Sequence, residues 1–106
     1  MIDFEKLNKE NTLVAPVMQS CVGAISPNMR MISFSYKEKQ IDIFFDLSEA
    51  SSEDNEEATD IADDLSIYTE NFRVIEHVRV VGHGRLPLPS DETIVIYKQR
   101  EQEPIS

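Results

Sequence analysis

The sequence predicts an α+β fold in two layers: a four-stranded antiparallel sheet with two helices on one face, in the chain order α-β-β-α-β-β. Three observations carry this. Two segments repeat apolar residues at three- and four-residue spacings, the signature of a half-buried helix. Four segments show strand patterning, mostly at period two. The links between them are short and polar, which favours antiparallel hairpins.

The first helix is expected over about Glu10–Ile25, where Leu13, Val14, Val17, Met18, Cys21 and Ile25 form one stripe. Asn11 or Thr12 would cap it. That start places Pro16 in the first turn or so, where a missing N–H matters least. Ser26-Pro27-Asn28 would end it, since a residue before proline is pushed out of the helical region.

Ile32, Phe34 and Tyr36 then alternate with Ser33, Ser35 and Lys37, and Ile41, Ile43, Phe45 and Leu47 with Asp42, Phe44 and Asp46. The link 37–40 suits a hairpin. A second helix is expected over about Glu53–Tyr68, with Ala58, Ile61, Ala62 and Leu65 inward. Ser51 or Ser52 would cap it, Ser51 pairing with Asp54 in a capping-box manner. Phe72–Val81 reads as a strand of imperfect alternation, from a bulge or burial on both faces. Gly82–Ser90 reads as a loop and Thr93–Lys98 as the last strand. The 106 residues suit one domain, with about 1–9 and 99–106 as loose ends.

Composition narrows the function. Hydrophobic residues reach 41%, too many for a disordered acidic tail. No apolar run approaches the roughly 20 residues that span a bilayer, and the acidic start is unlike a secretory leader, so a cytoplasmic protein is expected. The net charge of −10 disfavours nucleic acid and anionic membranes as direct partners and favours a basic protein. The charge is also segregated. Positions 41–72 hold no Lys or Arg but eleven acids: Asp42, Asp46, Glu49, Glu53, Asp54, Glu56, Glu57, Asp60, Asp63, Asp64 and Glu70. Like charges at helical spacing repel, so a block of one sign stores repulsion that a basic surface would relieve.

No catalytic or metal-binding constellation emerges. Gly82-His83-Gly84-Arg85-Leu86-Pro87 lacks the third glycine and the following helix of a dinucleotide fingerprint. His77 and His83 lie six apart, without helical i, i+4 pairing. Asp54–Thr59 has threonine where a calcium loop needs glycine. Cys21 falls on the apolar stripe, as a structural thiol does. Ser20, Ser26 and Ser33 have no nucleophile-elbow context. No cofactor, metal or small-molecule substrate is expected. The candidate partner-binding residues are Asp42, Phe44, Asp46, Glu53, Asp54, Glu56, Glu57, Asp60, Asp63 and Asp64: an aromatic flanked by carboxylates on one strand, then the acidic side of the second helix. Such a face suits a protein that must neutralise a basic target quickly. A nucleic-acid mimic would share that charge pattern. A small enzyme using His83 or His77 is the reading from a different class.

The segment Cys21–Arg30, with its Gly-x-Ile-Ser-Pro-Asn element at Gly23–Asn28, the acidic hairpin after it, and Glu53–Ala62 resemble small acidic immunity proteins of bacterial contact-dependent growth inhibition systems. The resemblance spans about Val17–Leu65. It implies an immunity protein that binds a cognate toxin domain, a nuclease, in the cytoplasm. It carries over no contact residues, so the acidic face rests on the charge pattern alone.

Overall fold

The computed structural model describes residues 4–86 and 92–99, with side chains from Thr12 onward. The elements are α1 (Phe4–Cys21), β1 (Met29–Lys37), β2 (Gln40–Leu47), α2 (Ser52–Tyr68), β3 (Arg73–Val80) and β4 (Ile94–Lys98). Both helices and a four-stranded sheet are present, but the sheet is mixed rather than all antiparallel. Its strand order is β3-β2-β1-β4, with β2 and β3 parallel and the other pairs antiparallel.

The departure has a physical reason. β1 and β2 are joined by a two-residue turn, Glu38-Lys39, so they must run antiparallel. Between β2 and β3 lies α2, whose 17 residues return the chain to the end of the sheet where β2 began. A strand that follows such a return runs parallel to its predecessor. The expected β3–β4 hairpin is absent, and residues 81–93 are far longer than a hairpin turn. β4 pairs instead with β1, at the edge opposite β3.

α1 also starts earlier than the stripe suggested. It is helical from Phe4, so only residues 1–3 of the expected loose start, and 100–106 of the expected loose end, lie outside the described residues. Glu5, Lys6, Leu7, Lys9 and Glu10 are good helix formers, and their propensity outweighs the capping signal of Asn11 and Thr12. Pro16 is therefore an interior residue of the helix rather than a first-turn one. Its missing N–H removes one rung of the helix ladder. Ser20 Oγ donates to the Pro16 carbonyl at 2.9 Å. The helix ends at Cys21, and Gly23 just beyond it has a φ of +77°, left-handed and favourable for glycine.

One cluster forms the core. Leu13, Val17 and Cys21 of α1 and Ala58, Ile61, Ala62 and Leu65 of α2 pack with Met29, Ile32, Phe34, Ile41, Ile43, Phe45 and Leu47 of the sheet. Both helices thus cover the same face. Met18 and Ile25, which the stripe placed inward, are exposed. Val78 and Val80 fall on the helix-facing phase of β3 yet are exposed, because β3 is an edge strand that the helices cover only in part. The imperfect alternation of this strand comes from that edge position, since its register with β2 is unbroken.

Candidate functional site

The residues that the sequence grouped as one acidic face divide between two sides of the molecule. The first group lies on β2. Its core phase is Ile41, Ile43, Phe45 and Leu47, so Asp42, Phe44 and Asp46 point to the helix-free side of the sheet. The parallel register sets Phe44 beside His77 and Asp46 beside Arg79. Arg79 donates to Asp46 through Nε at 2.6 Å and Nη2 at 3.1 Å. Asp46 is fully buried, while Arg79 keeps 49% of its side chain exposed. The Arg79 guanidinium also lies over the Phe44 ring, 4.7 Å from its centroid. The other face of the layer is His77, stacked on Phe44 at 4.8 Å with an interplanar angle of 18°. His77 Nε2 meets Asp42 Oδ1 at 2.8 Å, and Gln40 Nε2 donates to both Asp42 oxygens. Both carboxylates of the hairpin are therefore engaged inside the molecule. The sequence contained His77 and Arg79, but only the parallel pairing reveals that they stand beside the hairpin acids.

The helix-free face is not bare there. Met31 and Ser33, which pair with Asp46 and Phe44, are both buried. Leu86, beyond the end of β3, is buried as well and is not part of the helix-facing cluster. Arg30 Nη1 donates to the Gly82 carbonyl at 2.8 Å, anchoring the chain just after β3.

The second group lies on α2. Ser51 caps the helix, its Oγ accepting from the Asp54 N–H at 3.2 Å. Glu53, Glu56, Glu57, Asp60, Asp63 and Asp64 are exposed, and no Lys, Arg or His among the described residues forms an ion pair with them. Asp54 differs, being buried and accepting from Asn28 Nδ2 at 2.8 Å. Asn28 also donates to the Glu49 carbonyl and accepts from the Glu49 N–H. This one side chain ties the Ser-Pro-Asn turn to β2's exit and to the start of α2. Beside this tie lies a shallow groove lined by Gly23, Ala24, Ile25, Ser26, Glu53, Asp54, Glu56, Glu57 and Asp60. One wall is anionic and helical, and the other is the turn after α1.

The remaining motifs find structural roles. His83 contacts Glu49 at 3.2 Å, both largely in water. The two histidines thus face different carboxylates, and neither lines the groove. Among the described residues no group of His, Cys, Asp and Glu is placed to hold a metal ion. Cys21 is buried, and burial pushes its thiol up to about 11. The thiolate needed for nucleophilic chemistry is thereby suppressed at neutral pH. Among the described residues no helix is long and apolar enough to cross a membrane. Residues 87–90 of the Gly82–Ser90 loop lie outside the described residues.

A family model described as MafI2 immunity protein matches residues 10–101, nearly the whole chain. The chain belongs to the MafI2 immunity protein family. Membership makes it an immunity protein of a toxin/immunity system, with a cognate toxin as its partner. The match extends well beyond the Val17–Leu65 segment that carried the resemblance, through β3 and β4. Among curated proteins, none matches the sequence significantly.

Proposed function

We propose that this immunity protein neutralises a basic toxin domain, a nuclease, by binding it through the acidic side of α2 and occluding it without chemistry of its own. The observation that carries this reading is the one-sign face of Glu53, Glu56, Glu57, Asp60, Asp63 and Asp64, exposed and unpaired among the described residues. A nuclease cleft carries Lys and Arg for phosphate, so its field is opposite in sign. Steering between such surfaces can raise association rates to about 10⁸–10⁹ M⁻¹s⁻¹ at low salt. Speed of this kind suits a protein that must disarm a toxin inside the producing or recipient cell, and the cytoplasm is where the proposal places it. Delivery of the toxin by contact-dependent growth inhibition is part of the same reading.

Within the face the residues divide by task. The exposed α2 carboxylates supply the field. Asp54 holds the groove in shape through Asn28. Asp42 and Asp46 fix the Phe44–His77–Arg79 layer, which offers a secondary contact on the other side of the sheet. The decisive experiment is co-expression with the product of the adjacent upstream reading frame. Rescue of cells from an otherwise lethal product, together with co-purification of the two chains, supports the reading. A neighbouring product that is harmless alone, or that kills whether or not this chain is present, defeats it.

A further inference from the structure

From the groove between the turn at residues 23–26 and α2 we infer the docking site for a single element of the toxin: a helix that carries Lys or Arg on one side and an apolar stripe on the other. The inference rests on the proposed function and deepens it, because acidity alone does not define a site. What defines this one is the opposite wall. Ile25 lines the groove and remains 40% exposed, and Val22, three residues earlier, is 73% exposed. Neither belongs to the core cluster. Ile25 is an apolar group across a groove from Glu53, Glu56, Glu57 and Asp60, with no cation among the described residues to answer those acids.

The geometry selects the occupant. A purely basic loop would satisfy the acids but leave Ile25 in water, whereas a helix with an apolar stripe buries it and lays cations along α2. The groove is also held before binding. Gly23 turns the chain at φ +77°, Asn28 pins the turn to Asp54 and Glu49, and Ser51 caps the helix that forms the acidic wall. A preformed groove loses less freedom on binding than a loose one. The hairpin carboxylates Asp42 and Asp46 lack this arrangement, because each already holds an internal partner.

Two arms test the inference. In the first, full-length protein binds the toxin identified by co-expression. Val22→Ser with Ile25→Ser should accelerate dissociation, and Glu56→Gln with Asp60→Asn should slow association, each by about tenfold, consistent with the separate roles of contact and steering. Lys39→Gln, in the exposed turn between β1 and β2, should leave both rates near parental. Parental rates for folded groove variants would overturn the inference and leave the proposed function standing. If the chain protects against no toxin, the proposed function fails, and the second arm judges the groove by itself. There, backbone amide shifts are followed on adding a synthetic peptide of lysines and leucines at three- and four-residue spacing, and a control in which serine replaces leucine. Shifts at residues 22–26 and 53–60 that need the leucines support the groove. Equal response to both peptides, or shifts centred on Asp42 and Phe44, reject it.

Discussion

Asp46 and Asp60 are the same residue on neighbouring elements, and they live under opposite rules. Asp46 sits on β2 with no exposed surface and two N–H donors from Arg79. Asp60 sits on α2 in water, with other carboxylates within a helical turn and no cation beside it among the described residues. A buried carboxylate is tolerated only when paired and hydrogen-bonded, so Asp46 is tied to the fold. An exposed one needs no partner, so a cluster of them is available to act at a distance. The sequence writes both as part of one acidic run. The structure separates charge that holds the molecule together from charge that it presents outward.

Removing Arg79 tests the first half most severely. Arg79→Ala leaves a buried carboxylate without its donors. We expect a loss of about 3 kcal/mol, at the low end for stranded buried charges because Arg79 is itself half in water. Urea denaturation measures it. The double variant Asp46→Leu with Arg79→Met should recover more than half of that loss, since charge and partner are removed together. If Arg79→Ala unfolds at the parental midpoint, Asp46 is no structural charge and the contrast collapses.

Cys21 extends the comparison to a buried ionisable group that takes the third course and stays neutral. Its thiol is raised from 9.0 to about 11 by burial. The folded state therefore holds this proton more tightly than the unfolded chain does. The corresponding stability is fully present below pH 9 and is lost as pH rises through about 11. Over that window the loss approaches about 3 kcal/mol, at roughly 1.4 kcal/mol per pKa unit. Cys21→Ala lacks the linkage, so its denaturation midpoint should fall less steeply between pH 8 and 11. Parallel curves for the two proteins would show that the thiol ionises freely in the fold.

Asn28 joins the two regions, and its loss should be felt by both. Asn28→Ala removes three hydrogen bonds, to Asp54 and to both backbone groups of Glu49. A loss of about 1–2 kcal/mol is expected, because the Glu49 backbone groups and Asp54 can turn partly to water. Amide exchange at residues 23–28 should accelerate alongside. Unchanged exchange would mean that the turn is held by something other than this side chain.

How far these features were legible follows from the range of the interactions. The α2 face, its Ser51 cap and the alternation of β2 depend on neighbours within a few residues, and they stand in the sequence as they stand in the fold. The sheet's mixed topology depends on two connections. The 17-residue helix allows β3 to return parallel to β2, and the 13 residues at 81–93 allow β4 to reach either edge, so length alone does not choose between a second hairpin and pairing with β1. Two features were beyond local reading. The Phe44–His77–Arg79 layer joins residues more than thirty positions apart, and it exists only because β2 and β3 are parallel in one register. The groove joins the end of α1 to the start of α2 through Asn28, and a polar residue in a turn gives no sign of which helix it will meet. The start of α1 is not marked by Asn11 or Thr12, because capping residues also occur inside helices, where the propensity of the preceding segment decides.

The smallest expected effect on stability is the one that most sharpens the contrast. Asp60, Asp63 and Asp64 lie within three or four positions of one another or of Glu56 and Glu57, on the exposed side of α2. Each like-charge pair at such spacing destabilises a helix by about 0.2–0.5 kcal/mol. Asp63 and Asp64 also sit in the later half of a helix whose last turn holds no basic residue, where the dipole disfavours negative charge. Replacing the three aspartates by asparagine removes both penalties, offset by the slightly lower helix propensity of asparagine. Stability should therefore stay level or rise by a few tenths of a kcal/mol. Association with the cognate toxin should slow and lose much of its salt dependence, with less change in dissociation, because the field acts before contact. Asp42→Asn should do the reverse: it weakens the bonds with His77 and Gln40 and so lowers stability, but leaves the α2 field intact. Stopped-flow association across salt concentrations, run beside urea denaturation on both variants, separates the two. An α2 variant that unfolds early, or that meets the toxin at the parental rate at every salt concentration, would place these acids with Asp46 as parts of the scaffold and leave the fold without an outward-acting charge.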